Sequence, residues 1–178
     1  AALPPHVAAL TKRLSDRHFG VGADGMIFIL PSDKADFMMR IFNADGSEAE
    51  MCGNGIRCVG KYLYDNGMVG GRTTITIDTL SGVKTLELNV RDGKMQTARV
   101  DMGAAILEPA KIPVNMAGSS VIDAPLVVDE KVYHVTCVSM GNPHCVIFFN
   151  EDDVDDLDLS RLGPKFEHHP LFPERINT

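Results

Sequence analysis

The sequence predicts an α+β fold in which antiparallel strands form a meander and helices are few. Two observations carry this prediction. Residues 73–102 consist of successive stretches in which apolar and polar residues alternate, separated by Ser-Gly and Asp-Gly turn signals. A second series of such stretches begins at Ala124, whereas few segments have apolar residues at helical spacing.

Composition and charge set limits on the class of protein. A chain of 178 residues is long enough for one ordinary domain or two small ones. Its hydrophobic fraction of 44% and charged fraction of 23% are typical of a soluble globular protein. The formal net charge of −7 argues against a nucleic-acid or membrane partner, because both favour clustered Lys and Arg. No apolar run approaches the roughly 20 residues that span a bilayer, and the first residues lack the layout of a signal peptide.

The cysteines indicate a reducing compartment. Cys52, Cys58, Cys137 and Cys145 do not have the spacing of a disulfide scaffold. Because disulfides are rare in the cytosol and thiols persist there, the sequence favours a cytoplasmic, reduced chain.

The first elements are a helix, a loop and two strands. Pro4 and Pro5 open the helix, since proline is tolerated in a first turn. The Gly-rich loop 19–25 follows, and we interpret it as a turn rather than a phosphate site because a strand, 26–30, comes after it and no helix does. Residues 37–42 are nearly all apolar and predict a buried second strand.

A helix is predicted over residues 52–64, after the turn-forming residues 43–47. Its apolar residues cover more than one stripe, which predicts a helix that is enclosed rather than lying on a surface. Gly67 is a candidate for the left-handed residue that ends it.

Hairpins dominate the remainder. Strands 73–80 and 83–90 are predicted to join through a two-residue turn at Ser81-Gly82, and a third strand covers 94–102. Residues 109–120 are loop-like and rich in Pro, Gly and small residues, and a domain boundary is predicted near residues 103–113.

Beyond this boundary, strands 124–128 and 131–140 are predicted to form a hairpin around Asp129-Glu130. Residues 141–144, Gly-Asn-Pro-His, break the pattern, and a strand resumes over 145–149. The acidic run 151–158 predicts a solvated loop and the start of a short helix.

Cys52 is the strongest candidate for chemistry. It stands at the predicted start of a helix, where the thiolate form is stabilised, and Gly53 and Gly55 leave the N–H groups of the first turn accessible to an anion such as a carboxylate. A thiolate beside a carboxylate suits a base that removes a proton α to that carboxylate, and it equally suits a nucleophile. Alternatively, Cys52 is a small, buried residue that only packs in the core.

Three further residues are weaker candidates. His144, in the break between two strands, could tune a nearby thiol, although a single histidine is more often structural or exposed. Asn43 and Asn142 could each bind a polar substrate group, with turn formation as the structural alternative.

The other cysteines are interpreted as core residues. Cys58, Cys137 and Cys145 each lie within an apolar helix or strand. The chain has no C-x-x-C pair and no histidines at matching intervals, so no zinc site is predicted.

The residues from Phe42 to Cys58, FNADGSEAEMCGNGIRC, closely resemble the first active-site segment of diaminopimelate epimerases. Three further stretches agree in the same order along the chain. These are SDRHFGVGADG at 15–25, MGNPH at 140–144 and GPKFEHHPLFPERIN at 163–177. The resemblance runs almost from end to end, and the combination of stretches is more specific than any one of them.

This resemblance implies an isomerase of lysine biosynthesis that interconverts LL- and meso-2,6-diaminopimelate without pyridoxal phosphate or a metal. It implies two thiols on opposite faces of the substrate α-carbon, one removing a proton and the other returning one. A single base cannot serve both faces, so two groups are needed. The implied fold has two similar domains, each a curved, mostly antiparallel sheet wrapped around a central helix. Such enzymes often form homodimers.

The resemblance also implies roles for particular residues. Cys52 matches one acid/base, and His144 matches a histidine that adjusts the thiol. The residues that match substrate-binding positions are Asn43, Gly53, Asn54, Asn142 and Asn177.

The sequence departs from the family pattern at three points. Where some members carry Gln after the GVGAD run, this chain has Gly25. It contains one Cys-Gly-x-Gly, at Cys52, whereas the family has a second such cysteine, and it lacks the first strand with its Gly-Asn-Asp segment. We therefore expect residues 1–107 to form a first domain without its first strand, and 108–178 the first part of a second domain. We expect this piece alone to be inactive.

Two alternatives remain open from the sequence. One is another cofactor-independent amino-acid racemase of the same fold with a different side-chain pocket. The other is a non-catalytic fragment in which Cys52 only packs and the Gly-Asn-Gly loop is only a turn.

Overall fold

The computed structural model describes residues 2–149 and 154–178 and divides the chain into two compact units. The first unit is Ala1–Met102 and the second is Gly103–Thr178. Residues 151–153 of the acidic run 151–158, predicted as a solvated loop, therefore lie outside the described residues.

The first unit is a six-stranded sheet with two helices. The strand order is β1-β2-β4-β5-β6, with the short β3 on β2, and every pairing is antiparallel except that of β2 with β4. Its elements are α1 (Val7–Ser15), β1 (Gly25–Leu30), β2 (Phe37–Asn43), β3 (Glu48–Ala49), α2 (Gly53–Asp65), β4 (Thr74–Thr79), β5 (Gly82–Arg91) and β6 (Lys94–Val100).

Helix α2 packs against β5 and β6. Gly60 permits this approach, because a Cβ at that position would lie 2.9 Å from Leu86 Cδ2 and 3.2 Å from Leu88 Cδ2. Ile56 and Leu63, on the same face, have no exposed surface. The apolar face of α2 and the alternating side chains of the sheet thus form one core, which fixes where the helix begins.

A Schellman motif ends α2 at the predicted glycine. Gly67 has a φ of 72°, its N–H donates to the Tyr64 carbonyl at 2.9 Å, and the N–H of Met68 donates to the Leu63 carbonyl at 2.9 Å. These two bonds satisfy carbonyls that the helix leaves without intrahelical donors.

The second unit is a three-stranded antiparallel sheet with one helix among its described residues. The turn between β7 and β8 has Asp129 and Glu130 at φ values of 50° and 61°, the left-handed pair of a tight hairpin, as predicted. Its elements are a 3₁₀ turn (Pro109–Lys111), β7 (Ala124–Val128), β8 (Lys131–Ser139), β9 (Pro143–Ile147) and α3 (Leu159–Glu167). No helix of the described residues is long and apolar enough to cross a membrane.

The predicted α+β class is confirmed, and two boundaries shift. The β4–β5 turn is Leu80-Ser81, because Gly82 is already the first residue of β5 and pairs with Thr79. Strand β9 begins at Pro143 rather than Cys145. Proline is tolerated there because it is the first residue of the strand.

Two predictions about α2 are wrong. The helix is not enclosed on all sides: Tyr62 is 56% exposed, and Cys58, expected in the core, is exposed as well. Both residues lie on the side of α2 opposite the β5–β6 contact, where they line a groove with β1. The sequence pattern does not show which side of α2 the strands cover, and Tyr62 and Cys58 lie on the side that β5 and β6 leave open.

Asp36, the residue before β2, forms hydrogen bonds to Thr76 of the neighbouring parallel strand β4. Its carboxylate accepts hydrogen bonds from the Thr76 N–H at 2.8 Å and the Thr76 hydroxyl at 3.1 Å, and Arg72 Nη1 lies 2.8 Å away. Burial raises the pKa of Asp36, but the hydrogen bonds from Thr76 and the Arg72 guanidinium outweigh burial and hold the pKa below its ordinary value.

We predict that Asp36→Asn lowers the free energy of unfolding of the chain by about 1–3 kcal/mol at pH 7, because charged hydrogen bonds contribute about that much. The folded-state pKa of Asp36 is depressed, so its contribution is complete above the unfolded pKa of about 3.9 and is lost as pH falls through the folded pKa. The difference between wild type and variant in urea unfolding should therefore narrow as pH falls below about 4. The exposed neighbour Asp33 supplies the control, and a loss in Asp33→Asn as large as that in Asp36→Asn would contradict the account.

Candidate active site

Cys52 is the N-cap residue of α2. Its backbone is extended, at φ −141° and ψ 109°, and its Sγ accepts a hydrogen bond from the Gly55 N–H at 3.2 Å. The thiol is half-buried. The Gly55 N–H and the positive end of the helix dipole are both directed at the sulfur.

Gly55 has little free space around it for a side chain. A Cβ at this position would lie 2.7 Å from Ile27 Cδ1 and 3.3 Å from Cys52 Sγ. Gly53, by contrast, faces open space, with nothing within 4 Å of a Cβ built on it. The lack of a Cβ at Gly55 therefore leaves room for the Cys52 sulfur. The lack of a Cβ at Gly53 leaves the first turn of α2 accessible.

The open first turn can hold an anion. The N–H groups of Gly53 and Asn54 precede the first intrahelical hydrogen bond of α2, so the helix itself gives them no acceptor. They border a depression of about 280 Å³. Its lining residues are Gly53, Asn54, Arg57, Ala98, Val100 and Met102. A carboxylate that enters this depression meets N–H donors and the positive end of the helix dipole.

Sequence reasoning missed Arg57. Its guanidinium donates to Oδ1 of Asn54 one helical turn away, and it lines the same depression. The i,i+3 spacing of a cation from the candidate anion site was the available signal. Arg57 supplies a positive charge and fixes the orientation of the Asn54 amide.

Asn43 closes the turn after β2. Its side-chain amide donates to Ser47 Oγ at 3.0 Å, its N–H donates to the Ser47 carbonyl at 2.8 Å, and its carbonyl accepts from Gly46 at 2.8 Å. These contacts fit the turn-forming interpretation. The substrate-binding role of Asn43 stays a prediction.

In the second unit, the β8–β9 turn brings His144 and Asn142 together. His144 Nε2 lies 3.0 Å from Asn142 Oδ1. Because an amide oxygen only accepts, His144 Nε2 is the donor in this contact. The turn is supported by Ser139 Oγ, which accepts the Gly141 N–H at 3.3 Å.

Asn177 joins this group through the backbone. Residues 144 and 177 form a parallel bridge, and the Cys145 N–H donates to the Asn177 carbonyl at 2.7 Å. The Asn177 side chain donates to the Pro143 carbonyl at 2.8 Å. The three predicted residues of the second unit, Asn142, His144 and Asn177, therefore lie on adjoining segments.

The titratable side chains of the described residues do not gather into a metal centre. Within 2–149 and 154–178, no three or more His, Cys, Asp and Glu side chains are placed to hold a metal ion. Cys137 and Cys145, predicted as core residues, are buried in the second unit.

Two solved structures, a hydroxyproline epimerase and a probable proline racemase, have a similar fold. A hydroxyproline epimerase from Agrobacterium vitis with bound trans-4-hydroxy-L-proline superposes with a TM-score of 0.63 at 15% identity, over 94% of this chain and 48% of that one. A probable proline racemase from Agrobacterium radiobacter gives a TM-score of 0.63 at 16% identity, with the same coverage. At such identities the likeness establishes the fold.

Sequence similarity then defines the family. The family model for diaminopimelate epimerase matches residues 3–108. The diaminopimelate epimerase of Acetivibrio thermocellus is 55% identical over 169 residues, and that of Desulfovibrio desulfuricans is 53% identical over 175. These alignments cover 95% of this chain but 59% and 60% of the two relatives. The chain belongs to the diaminopimelate epimerase family and spans about 60% of the length of the relatives it matches.

We predict that Gly55→Ala slows alkylation of Cys52 by iodoacetamide at pH 7 by about three- to tenfold. The added methyl group crowds Cys52 Sγ and weakens the bond from the residue 55 N–H, and a factor of ten corresponds to about 1.4 kcal/mol. Peptide mass spectrometry follows the label at each cysteine. Gly53→Ala is the matched control and should label like wild type, because a Cβ there meets nothing. Equal rates in Gly55→Ala and wild type would show that the bond does not govern the thiol.

Proposed function

We propose that this chain is part of an enzyme that interconverts LL- and meso-2,6-diaminopimelate in lysine biosynthesis. The observation that carries the proposal is the Cys52 thiol capping α2 beside the open N–H groups of Gly53 and Asn54. Membership of the diaminopimelate epimerase family supports it. The relatives that bear this name at 53–55% identity favour diaminopimelate over another amino acid as substrate.

Cys52 takes part in proton transfer at the α-carbon. Its thiolate removes the α-proton, and the electron pair of the broken C–H bond delocalises into the adjacent carboxylate. That carboxylate gains negative charge in the transition state, so the donors that hold it bind the transition state more strongly than the substrate. In this proposal the Gly53 and Asn54 N–H groups hold the carboxylate, and Arg57 adds a positive charge.

A second acid/base delivers a proton to the opposite face of the α-carbon, because one group cannot reach both faces. Neither buried cysteine of the second unit suits this role, since Cys137 is 0% and Cys145 2% exposed. We propose that a cysteine in the part of the relatives that this chain does not match supplies it. The matched share of about 60% supports this assignment.

His144, Asn142 and Asn177 are proposed to act from the second unit. His144 adjusts the thiol, and Asn142 and Asn177, with Asn43 from the first unit, bind polar groups of the substrate. In this proposal, residues 1–107 are a first domain that lacks its first strand, and 108–178 are the first part of a second domain. The complete protein is proposed to be a cytoplasmic homodimer that acts on a small molecule and has no nucleic-acid partner.

A chimera tests the function. The aligned 169 residues of the Acetivibrio thermocellus epimerase are replaced by those of this chain. We predict that the chimera exchanges the α-hydrogen of diaminopimelate in deuterated water, and that Cys52→Ala lowers the rate by at least about a hundredfold, the lower range for a positioned acid/base. The same assay with proline and hydroxyproline tests the other racemase activities of this fold.

Two results would contradict the proposal. One is a folded chimera that turns over diaminopimelate equally well with and without Cys52. The other is a folded chimera that exchanges only proline or hydroxyproline. Circular dichroism of each variant separates loss of folding from loss of chemistry.

We also predict that the 178-residue chain alone does not interconvert LL- and meso-diaminopimelate above the buffer rate, because inversion needs an acid/base on each face and the chain supplies one of the two. The assay separates the LL and meso forms by chiral chromatography after incubation with the chain. Interconversion by this chain, lost in Cys52→Ala, would show that a second acid/base lies within it.

A further inference from the structure

Cys137 and Cys145 form a buried thiol pair that the proposed mechanism does not use. They are register partners on neighbouring antiparallel strands, β8 and β9. They are 0% and 2% exposed, and both are free thiols. Two cysteines directly opposite each other in a core that otherwise consists of aliphatic and aromatic side chains call for a chemical explanation.

Backbone hydrogen bonds show which kind of cross-strand pair this is. The Cys137 N–H donates away from β9, to the Val121 carbonyl at 2.9 Å, and the Cys145 N–H donates away from β8, to the Asn177 carbonyl at 2.7 Å. Opposed residues whose N–H groups both point outward form a non-hydrogen-bonded pair, in which the Cα atoms lie about 4.5 Å apart. Disulfides join Cα atoms about 4.4–6.8 Å apart, so the strand spacing is compatible with one.

The side chains also lie on the same face of the sheet. Directly opposed residues point to one face, so the Cys137 and Cys145 thiols both enter the core of the second unit. The interaction with the Cys137 thiol and burial raise the pKa of Cys145. The interaction with the Cys145 thiol lowers the pKa of Cys137. Cys137 is therefore the more acidic thiol of the pair.

We propose that Cys137 and Cys145 are a reversible redox pair that a hydroperoxide converts to a disulfide. The Cys137 thiol loses its proton as its sulfur attacks one peroxide oxygen, and the O–O bond breaks. For hydrogen peroxide, the leaving hydroxide takes up a proton to become water, and Cys137 becomes a sulfenic acid. The sulfur of Cys145 then displaces the hydroxyl group, which leaves as a second water with the Cys145 proton. Two thiols are oxidised, and one peroxide is reduced to two waters.

The disulfide would act on the segment that carries the candidate site of the second unit. Asn142 and His144 lie inside the loop that a bond between residues 137 and 145 closes. Cross-linking this loop removes conformations from the unfolded chain and restrains the turn in the folded one. A dithiol reductant reverses the change by thiol–disulfide exchange.

Mass spectrometry tests the pair in the intact chain. The native protein is treated with hydrogen peroxide and denatured, and its remaining thiols are blocked with a maleimide before trypsin digestion. Cys137 and Cys145 fall on one tryptic peptide, Val132–Arg161, because no Lys or Arg lies between its ends. We expect this peptide to lose the mass of two hydrogen atoms, take up no maleimide, and give no backbone fragments from cleavage between the two cysteines. Its yield should exceed tenfold that of any peptide pair linked through Cys52 or Cys58.

Two cysteine variants test which residues form the disulfide. In Cys58→Ala, which removes an exposed thiol outside the pair, the cyclised peptide should form as in wild type. In Cys145→Ala it should not form, and the oxidised chain should gain no resistance to urea. Native wild type that keeps both thiols open to maleimide, or that carries them as sulfinic or sulfonic acids, would overturn the proposal.

A second measurement does not depend on any variant folding. The urea midpoint of wild type should rise after peroxide treatment and return to its starting value with dithiothreitol, because the disulfide constrains the unfolded chain. A cyclised peptide that forms only when peroxide is added to urea-unfolded protein would also overturn the proposal.

Discussion

The hydrogen bond from the Gly55 N–H to the Cys52 sulfur is the interaction on which the candidate active site depends. It caps α2, and the same geometry leaves the next two N–H groups, those of Gly53 and Asn54, without intrahelical acceptors. The packing of α2 through Gly60 onto Leu86 and Leu88 determines where that helix end lies. In the proposed function, this arrangement holds the Cys52 thiol beside an anion site.

Much of this fold could be predicted from the sequence because the signals were local. Alternating stretches and turn dipeptides placed the hairpins of both units, and Gly67 marked the end of α2, where it takes the left-handed conformation of a Schellman motif. Burial could be predicted less well. Cys58 and Tyr62 carry apolar character, but only the position of β5 and β6 decides which face of α2 is covered. No local pattern contains that information.

In the candidate site, too, some residues could be predicted from local sequence and others could not. Cys52 could be selected because a thiol followed by two nearby glycines at a helix start has a physical meaning on its own. The pairing of His144 with Asn142, and the bridge to Asn177, depend on a strand and a terminal segment far apart in sequence. From the sequence, His144 and Asn142 could be named only as weak candidates, and Asn177 only through resemblance to a family. Arg57 and the opposed thiols of Cys137 and Cys145 emerged only from register and contacts in the structure.

The central claim, that the first turn of α2 holds a substrate carboxylate beside the Cys52 thiol, can be measured in this chain without turnover. Backbone amide resonances are followed by ¹⁵N–¹H NMR while meso-diaminopimelate is added, with cadaverine as a control that has both amino groups and no carboxylate. The account predicts saturable shifts that are largest at Gly53, Asn54 and Gly55, and no such shifts with cadaverine. Equal responses to both compounds, or shifts that leave these three amides unmoved, would contradict it.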